Sequence, residues 1–207
     1  MTVSRIIATT VHAYCADWNG RKPGKPAILA YVGDVYKGLQ ASSLNQADCQ
    51  WAQLHLLIAS GLYGLLRPFD SVQAYRLEMK ARLPIGRRQN VTDFWKTSLV
   101  DYVQSRGDDW LCNCCSEEYS KAVITGLQLP IVTPVFFDTK PNGVIGPVPI
   151  YSKLMRGVMA RWMIDQRVTE PAQLEVFSAH GYEYDAALSK PGFPAFSRSK
   201  MVPLRFS

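Results

Sequence analysis

Asn113, Ser116, Glu118, Tyr119 and Lys121 fall within nine consecutive positions, a concentration of hydrogen-bonding and titratable side chains greater than packing requires. Trp110 to Asn113 reads as a strand, and Ser116 followed by Glu117 and Glu118 reads as a helix start. The five therefore occupy a strand-to-helix turn, the sheet edge at which α/β proteins place ligands. A helix N-terminus there receives an anion, and Tyr119 or Lys121 serves as acid or base if its pKa is lowered. The competing reading is architectural: Ser116 caps the helix and the two acids complement its dipole. Spacing alone does not choose between them.

A second candidate is the segment Ala59 to Pro68, where Gly61 and Gly64 stand three apart between apolar stretches of helical spacing. A tight turn there exposes backbone N–H groups able to hold a phosphate, with Arg67 and Arg76 nearby. That arrangement is helix-hairpin-helix-like, a way of gripping nucleic-acid backbone without reading bases. A packing turn between two helices accounts for the same glycines.

Cys112, Cys114 and Cys115 are a third group. Alternation along a strand sends Cys112 and Cys114 to one face, where they pack as small apolar side chains. Cys114 or Cys115 becomes a reactive thiol if the helix dipole lowers its pKa. There is no second cysteine pair, and His12, His55 and His180 lack ligand spacing, so no zinc site or iron–sulfur cluster is expected. The sequence has no Walker loop, dinucleotide fingerprint, nucleophile elbow or hydrolase histidine, so no cofactor is implied.

The elements that hold these groups follow from pattern. The chain to Trp18 reads as a short helix, Ala27 to Val32 as a buried strand, and Gln46 to Leu66 as helical segments broken at Gly61 and Gly64. Thr92 to Gln104 predicts a helix with Trp95, Leu99, Tyr102 and Val103 inward. Pro130 to Phe137 and Gly143 to Tyr151 predict adjacent strands joined by a turn. Lys153 to Val168 is the clearest helix, with Leu154, Met155, Val158, Met159, Trp162 and Met163 on one arc and Lys153, Arg156, Gly157, Arg161 and Arg167 opposite. Thr169-Glu170-Pro171 starts a further helix, Gly181 to Asp185 is a late strand, and residues 186–207 read as a loop-like basic tail. No repeat or boundary divides the 207 residues, so the reading is one mixed α/β domain, a mixed sheet with surrounding helices.

Composition limits the partners. Lys and Arg outnumber Asp and Glu 23 to 17, giving a net charge of +6 and a pI near 9.1. The excess is clustered: Arg76–Arg88, Lys153–Arg161 and Ala186–Ser207 carry net +4, +3 and +4, which leaves −5 on the rest. Clustered positive charge points to phosphate-bearing partners. No apolar run is long enough to span a membrane, the first residues are too weakly apolar for a secretory signal, and the five cysteines do not make a disulfide framework. The expected compartment is the cytoplasm, with no membrane partner.

Taken in order, Gly33-Asp34-Val35-Tyr36-Lys37-Gly38-Leu39, Ser60 through Pro68, and Tyr75-Arg76-Leu77-Glu78-Met79 form a series that continues through Phe94-Trp95, the Asn113–Val123 turn, Pro134 to Asp138, Arg156 to Arg161 and Gly181 to Asp185. The series resembles the YaaA family of bacterial peroxide-stress proteins over about residues 27–185. The resemblance implies a mixed α/β fold, a helix-hairpin-helix-like element around Ser60–Pro68, DNA binding through basic surface, and a cytoplasmic role in limiting iron-linked oxidative damage. Members usually begin with a strand and a Ser-Pro-Ala-Lys motif ahead of the position matched by Gly33. The residues ahead of Gly33 do not contain that motif, and an exposed sheet edge is the expectation that follows from the resemblance. Ala74 stands where members have a proline, and Cys114-Cys115 where they have a small apolar pair.

Two functions follow as expectations. The first is a DNA-binding stress protein in which Arg67, Arg76, Lys153, Arg156 and Arg161 contact phosphate while Gly61 and Gly64 present backbone donors, with weak sequence specificity. The alternative is an enzyme acting on a nucleotide or purine-like small molecule, with Asn113, Ser116, Glu118, Tyr119 and Lys121 forming the pocket.

Overall fold

A computed structural model describes residues 5–19, 22–200, 202–204 and 206. Helix α1 (Arg5–Asp17) precedes strand β1 (Lys25–Pro26), the single turn α2 (Ala27–Ala30), α3 (Asp34–Leu39) and α4 (Gln46–His55). Strands β2 (Ile58–Ser60) and β3 (Gly64–Leu66) lead to β4 (Ser71–Val72), α5 (Val91–Ser105), β5 (Leu111–Cys112) and α6 (Glu117–Ile124). Then come β6 (Ile131–Val132), β7 (Val135–Thr139), β8 (Ile145–Gly146) and the long helix α7 (Pro149–Gln166). A 3-10 segment (Pro171–Val176), β9 (Ser178–Ala179), β10 (Tyr182–Tyr184) and β11 (Ala195–Arg198) follow. Helices and strands mix as the α/β reading expects. No helix among the described residues is long and apolar enough to cross a membrane.

The main sheet has strand order β8-β7-β11-β10-β9, with β11 parallel to β7 and the other pairs antiparallel. The tail read as a loop thus supplies the middle strand. Its Pro, Ser and Lys content hides a four-residue run in which Ala195, Phe196 and Arg198 are buried. Phe196 stacks on Phe136 at 5.5 Å and meets Phe177 edge-on at 5.1 Å, placing it at the centre of one core. Arg198 is buried because Asp138 of β7 lies directly opposite it and accepts from its Nε at 2.5 Å.

Further expectations give way. Tyr102, read as inward, is exposed, and residues 149–151, read as strand, open α7. Ala27 to Val32 is not a strand: Ala27 and Ile28 are buried, but Leu29 and Val32 are exposed, and the chain turns helically. The amides of Ala27 and Ile28 donate to the carbonyls of Asp70 and Pro68, so the short β1–β4 pairing passes directly into a helical turn. The pattern from Gln46 to Leu66 is helical only to His55, where it begins with an Asn45/Asp48 capping box. Beyond Leu56 the chain is a β-hairpin, not a helix-hairpin-helix. Ile58 and Ser60 alternate with Ala59, and Gly64 and Leu66 with Leu65, a period-two burial that the three- and four-residue spacing of the leucines concealed.

α7 runs between two cores. Met155, Val158 and Met159 pack with the sheet, while Ile164 packs with Ala27, Ile28, Leu39, Ala52 and Ile58. The face read as basic is therefore only partly solvent. Gly157 is buried against α3, where a Cβ would lie 1.8 Å from the Val35 carbonyl oxygen, and a Cβ on Gly38 would lie 2.1 Å from that of Leu154. Arg167 pairs with Asp48 at 2.8 Å, and that hydrogen bond holds the Asp48 carboxyl below the usual carboxylate range. Its stabilisation is present above the unfolded carboxylate pKa and is lost as pH falls through the depressed folded value. Gly157→Ala is expected to destabilise by about 1–3 kcal/mol or more, because two backbones must separate. Urea unfolding would check this, with Gly146→Ala as the control, since its Cβ meets only Lys140. Equal midpoints for the two variants would refute the close crossing.

Candidate functional site

Ser60, at the end of β2, is fully buried, and its Oγ accepts from the amides of Leu62 at 3.2 Å and Tyr63 at 2.9 Å. The hairpin's donors are therefore consumed inside the turn and do not face a phosphate. Gly61 is required for another reason: a Cβ there would sit 2.3 Å from the Leu77 carbonyl oxygen, and its own carbonyl accepts from Trp95 Nε1 at 2.8 Å. Gly64 has φ +77°, and a Cβ would meet the Trp95 ring. The two candidate glycines are packing positions.

The Ser60 hydroxyl also shares a hydrogen bond of 2.5 Å with Tyr75, whose hydroxyl bonds that of Tyr31 at 2.8 Å. Tyr36 stacks on Tyr31 at 5.6 Å, and Tyr63 meets Tyr75 edge-on at 5.4 Å. Burial pushes the Tyr31 and Tyr36 phenols up, and the neighbouring Cys115, Tyr75 and Tyr119 push Tyr36 further. These phenols are neutral donors at physiological pH and have no capacity as general bases.

The Asn113 turn meets this cluster, but its five candidates take different roles. Asn113 is buried, its Oδ1 accepting from the Cys115 amide and its Nδ2 donating to Thr133 Oγ1, both at 3.2 Å. Ser116 occupies the cap position of α6 in extended backbone, yet its hydroxyl makes no capping bond and has no partner among the described residues. Glu118 accepts from the Lys80 amide at 3.1 Å and pairs with its ammonium at 3.3 Å. Tyr119 is half-buried, and burial pushes its phenol up to about 12. Lys121 faces solvent and pairs with Glu117 at 2.7 Å. The Tyr119 shift runs opposite to what an acid–base role needs, and Lys121 leaves the turn because its helix position, four residues after Glu117, turns it outward.

The basic candidates divide similarly. Arg67 pairs with Asp70 at 3.3 Å and Arg76 with Glu78 at 3.7 Å. Arg161 bonds Asp165 Oδ1 at 2.8 Å, Ser43 Oγ at 2.6 Å and the Gln40 carbonyl at 3.2 Å, fastening α7 to the turn after α3. Lys153 is exposed. Arg156 is half-buried beside Cys114 and Cys115, and its side chain has no hydrogen bond or ion pair among the described residues.

Arg82, Arg87 and Arg88 were not singled out by motif, although they lie in the counted charge cluster. All three are exposed and have no side-chain partner among the described residues. They ride on a reverse turn closed by paired Ile85 and Arg88 amides and carbonyls, with Gly86 at φ +58°. Its base is fixed: Met79 is fully buried, Thr92 Oγ1 donates to the Met79 carbonyl at 2.8 Å, and the Val91 amide donates to Ala81 at 3.2 Å. Tyr31, Tyr36 and Tyr75 were likewise missed as a group. Two of them lie in the quoted motifs, but nothing local says that Tyr36 and Tyr75 meet. A groove of about 480 Å³ lined by Gln46, Cys49, Gln50, Gln53, Leu54 and Phe69, and one of about 430 Å³ lined by His180, Arg198 and residues 202–204, touch none of these groups.

Tyr36, Ser60, Tyr75, Asn113, Tyr119 and Arg156, drawn from separate motifs of the resemblance, thus lie in one contiguous neighbourhood. The profile described as Peroxide stress protein YaaA matches residues 1–188. The chain belongs to the YaaA peroxide stress protein family. It is similar to a UPF0246 protein of Ruegeria pomeroyi, 44% identical over 188 residues, covering 88% of this chain and 73% of the relative. A UPF0246 protein of Roseobacter denitrificans is 45% identical over 181 residues, covering 84% of this chain and 70% of the relative. The YaaA match is wider than the 27–185 stretch quoted from motifs and ends before β11, which completes the sheet from outside the matched span.

Proposed function

We propose that this YaaA-family chain binds DNA through its phosphate backbone in the cytoplasm and so helps limit iron-linked damage during peroxide stress. The observation that carries the reading is the loop at 82–88, which holds three exposed arginines without internal partners on an anchored base. Arginine matches phosphate geometry, and a fixed base lowers the ordering cost of contact. Lys80 links this segment to Glu118, and Arg156 lies near Cys114 and Cys115 of the adjoining turn. Contacts here are to backbone, so sequence preference is weak. In a mobility-shift titration of duplex DNA, affinity is expected to fall steeply between about 50 mM and about 200 mM salt. Salt-independent binding, or none at the lower salt, would sink the proposal.

One observation favours a second reading. The unpartnered Ser116 hydroxyl and Arg156 guanidinium, beside neutral phenols, suit a nucleotide or purine-like small molecule held by donors. A rise in melting temperature with a nucleobase, nucleoside or nucleotide would support it, and no shift with any of them would remove it.

A further inference from the structure

Cys112 ends β5, and Cys114 lies two residues on. Their sulfur atoms are 3.8 Å apart, and both side chains are half-buried. The intervening Asn113 is tied to Thr133 and to the Cys115 amide, so the turn holds the two thiols facing each other. A disulfide needs about 2.05 Å between sulfurs, a closure within reach of side-chain rotation and a small shift of the turn. No group of three or more His, Cys, Asp or Glu among the described residues is arranged to hold a metal ion.

The three thiols are not equivalent. The hydrogen bond shared with Cys112, in which either sulfur can donate, and the nearby Arg156 charge both favour the Cys114 thiolate despite burial. The same pairing raises Cys112, while burial pushes Cys115 up to about 12.

We propose that Cys112 and Cys114 form a dithiol that hydroperoxides oxidise reversibly to a disulfide. The Cys114 thiolate attacks one peroxide oxygen, the O–O bond breaks, and hydroxide or alkoxide leaves a sulfenic acid on Cys114. The Cys112 sulfur then attacks the sulfenic sulfur. The S–S bond forms as the S–O bond breaks, and water departs with the Cys112 proton. Two thiols are oxidised by two electrons and one peroxide is reduced. The ring enclosing a single residue is strained and readily reopened by thiol reductants. This chemistry does not depend on DNA binding.

The test treats the full chain with equimolar hydrogen peroxide, blocks remaining thiols with a maleimide, and examines the tryptic peptide Gly107–Lys121, which holds all three cysteines. Two thiols are expected to be lost, with Cys115 still labelled and the loss reversed by dithiothreitol. Loss at the pair is expected to be about tenfold faster than at Cys49. Cys115→Ser should behave as the parent, and Cys114→Ser should abolish the reaction. Cys112→Ser should leave a sulfenic acid at Cys114 that dimedone traps. Arg156→Gln should slow the oxidation and Arg156→Lys should restore it. The proposal is overturned if all three thiols survive a dose that consumes Cys49, if Cys115 is the thiol consumed, if oxidation persists in Cys114→Ser, or if these thiols hold stoichiometric zinc.

Discussion

Asp138→Ala is expected to destabilise the protein by about 3–5 kcal/mol, since it strands a buried guanidinium. Asp138 is fully buried and Arg198 is 4% exposed. The carboxylate accepts from Arg198 Nε at 2.5 Å and from the Tyr182 hydroxyl at 2.9 Å and 3.0 Å. The guanidinium lies 4.7 Å from the ring centres of both Tyr151 and Tyr182, and its Nη1 donates to the Val202 carbonyl. Nη2 has no partner. Removing the carboxylate therefore leaves a cation with almost no compensation between the two parallel strands at the middle of the sheet. The double variant Asp138→Leu with Arg198→Met should recover much of the loss, because it removes both charges together. Urea unfolding measures this, and a single-variant loss below about 1 kcal/mol would contradict the geometry.

Replacing Arg82, Arg87 and Arg88 together by Ala is expected to flatten the salt dependence of DNA binding while leaving the fold unchanged. Each phosphate neutralised contributes about 0.9 to the slope of log affinity against log salt, so three contacts amount to a slope near 2.7 and roughly a 40-fold loss between about 50 mM and about 200 mM. The triple variant should lose that dependence. Its stability should stay within about 0.5 kcal/mol, because exposed arginines without partners contribute nothing to packing. Arg161→Ala is the informative contrast, since it removes bonds to Gln40, Ser43 and Asp165 and should lower stability. Arg67→Ala should change DNA binding little, because Asp70 already neutralises that charge. Retention of the full salt slope by the triple variant would move the interface elsewhere.

Both effects belong to a chain whose family is defined by peroxide stress, and the dithiol at Cys112 and Cys114 is where peroxide itself would be sensed. Such oxidation would be a property of the Cys112-Asn113-Cys114 turn of this chain. It would also tighten the turn that holds Asn113 and Ser116, next to the basic loop.

The sequence by itself determined the family, the mixed α/β class, the helical stretches 92–104, 117–123 and 153–166, the β7–β8 pairing and the facing of Cys112 and Cys114. These depend on local periodicity, caps and alternation, which neighbouring residues carry. Tertiary structure decided the rest. The strand at Ala195–Arg198 exists because Asp138 and Phe136, about sixty residues earlier, supply partners for a buried Arg198 and Phe196. The hairpin at Ile58–Leu66 exists because Leu77 and Trp95 pack on its glycines. Which arginines are free for phosphate was partly legible, since Arg67, Arg76 and Arg161 pair with acids two to four residues away while Arg82, Arg87 and Arg88 have no partner among the described residues. A charge count registers each cation equally, whereas only the fold brings Arg161 to the Gln40 carbonyl and Ser43 hydroxyl, 121 and 118 residues away, and so makes it a structural clamp.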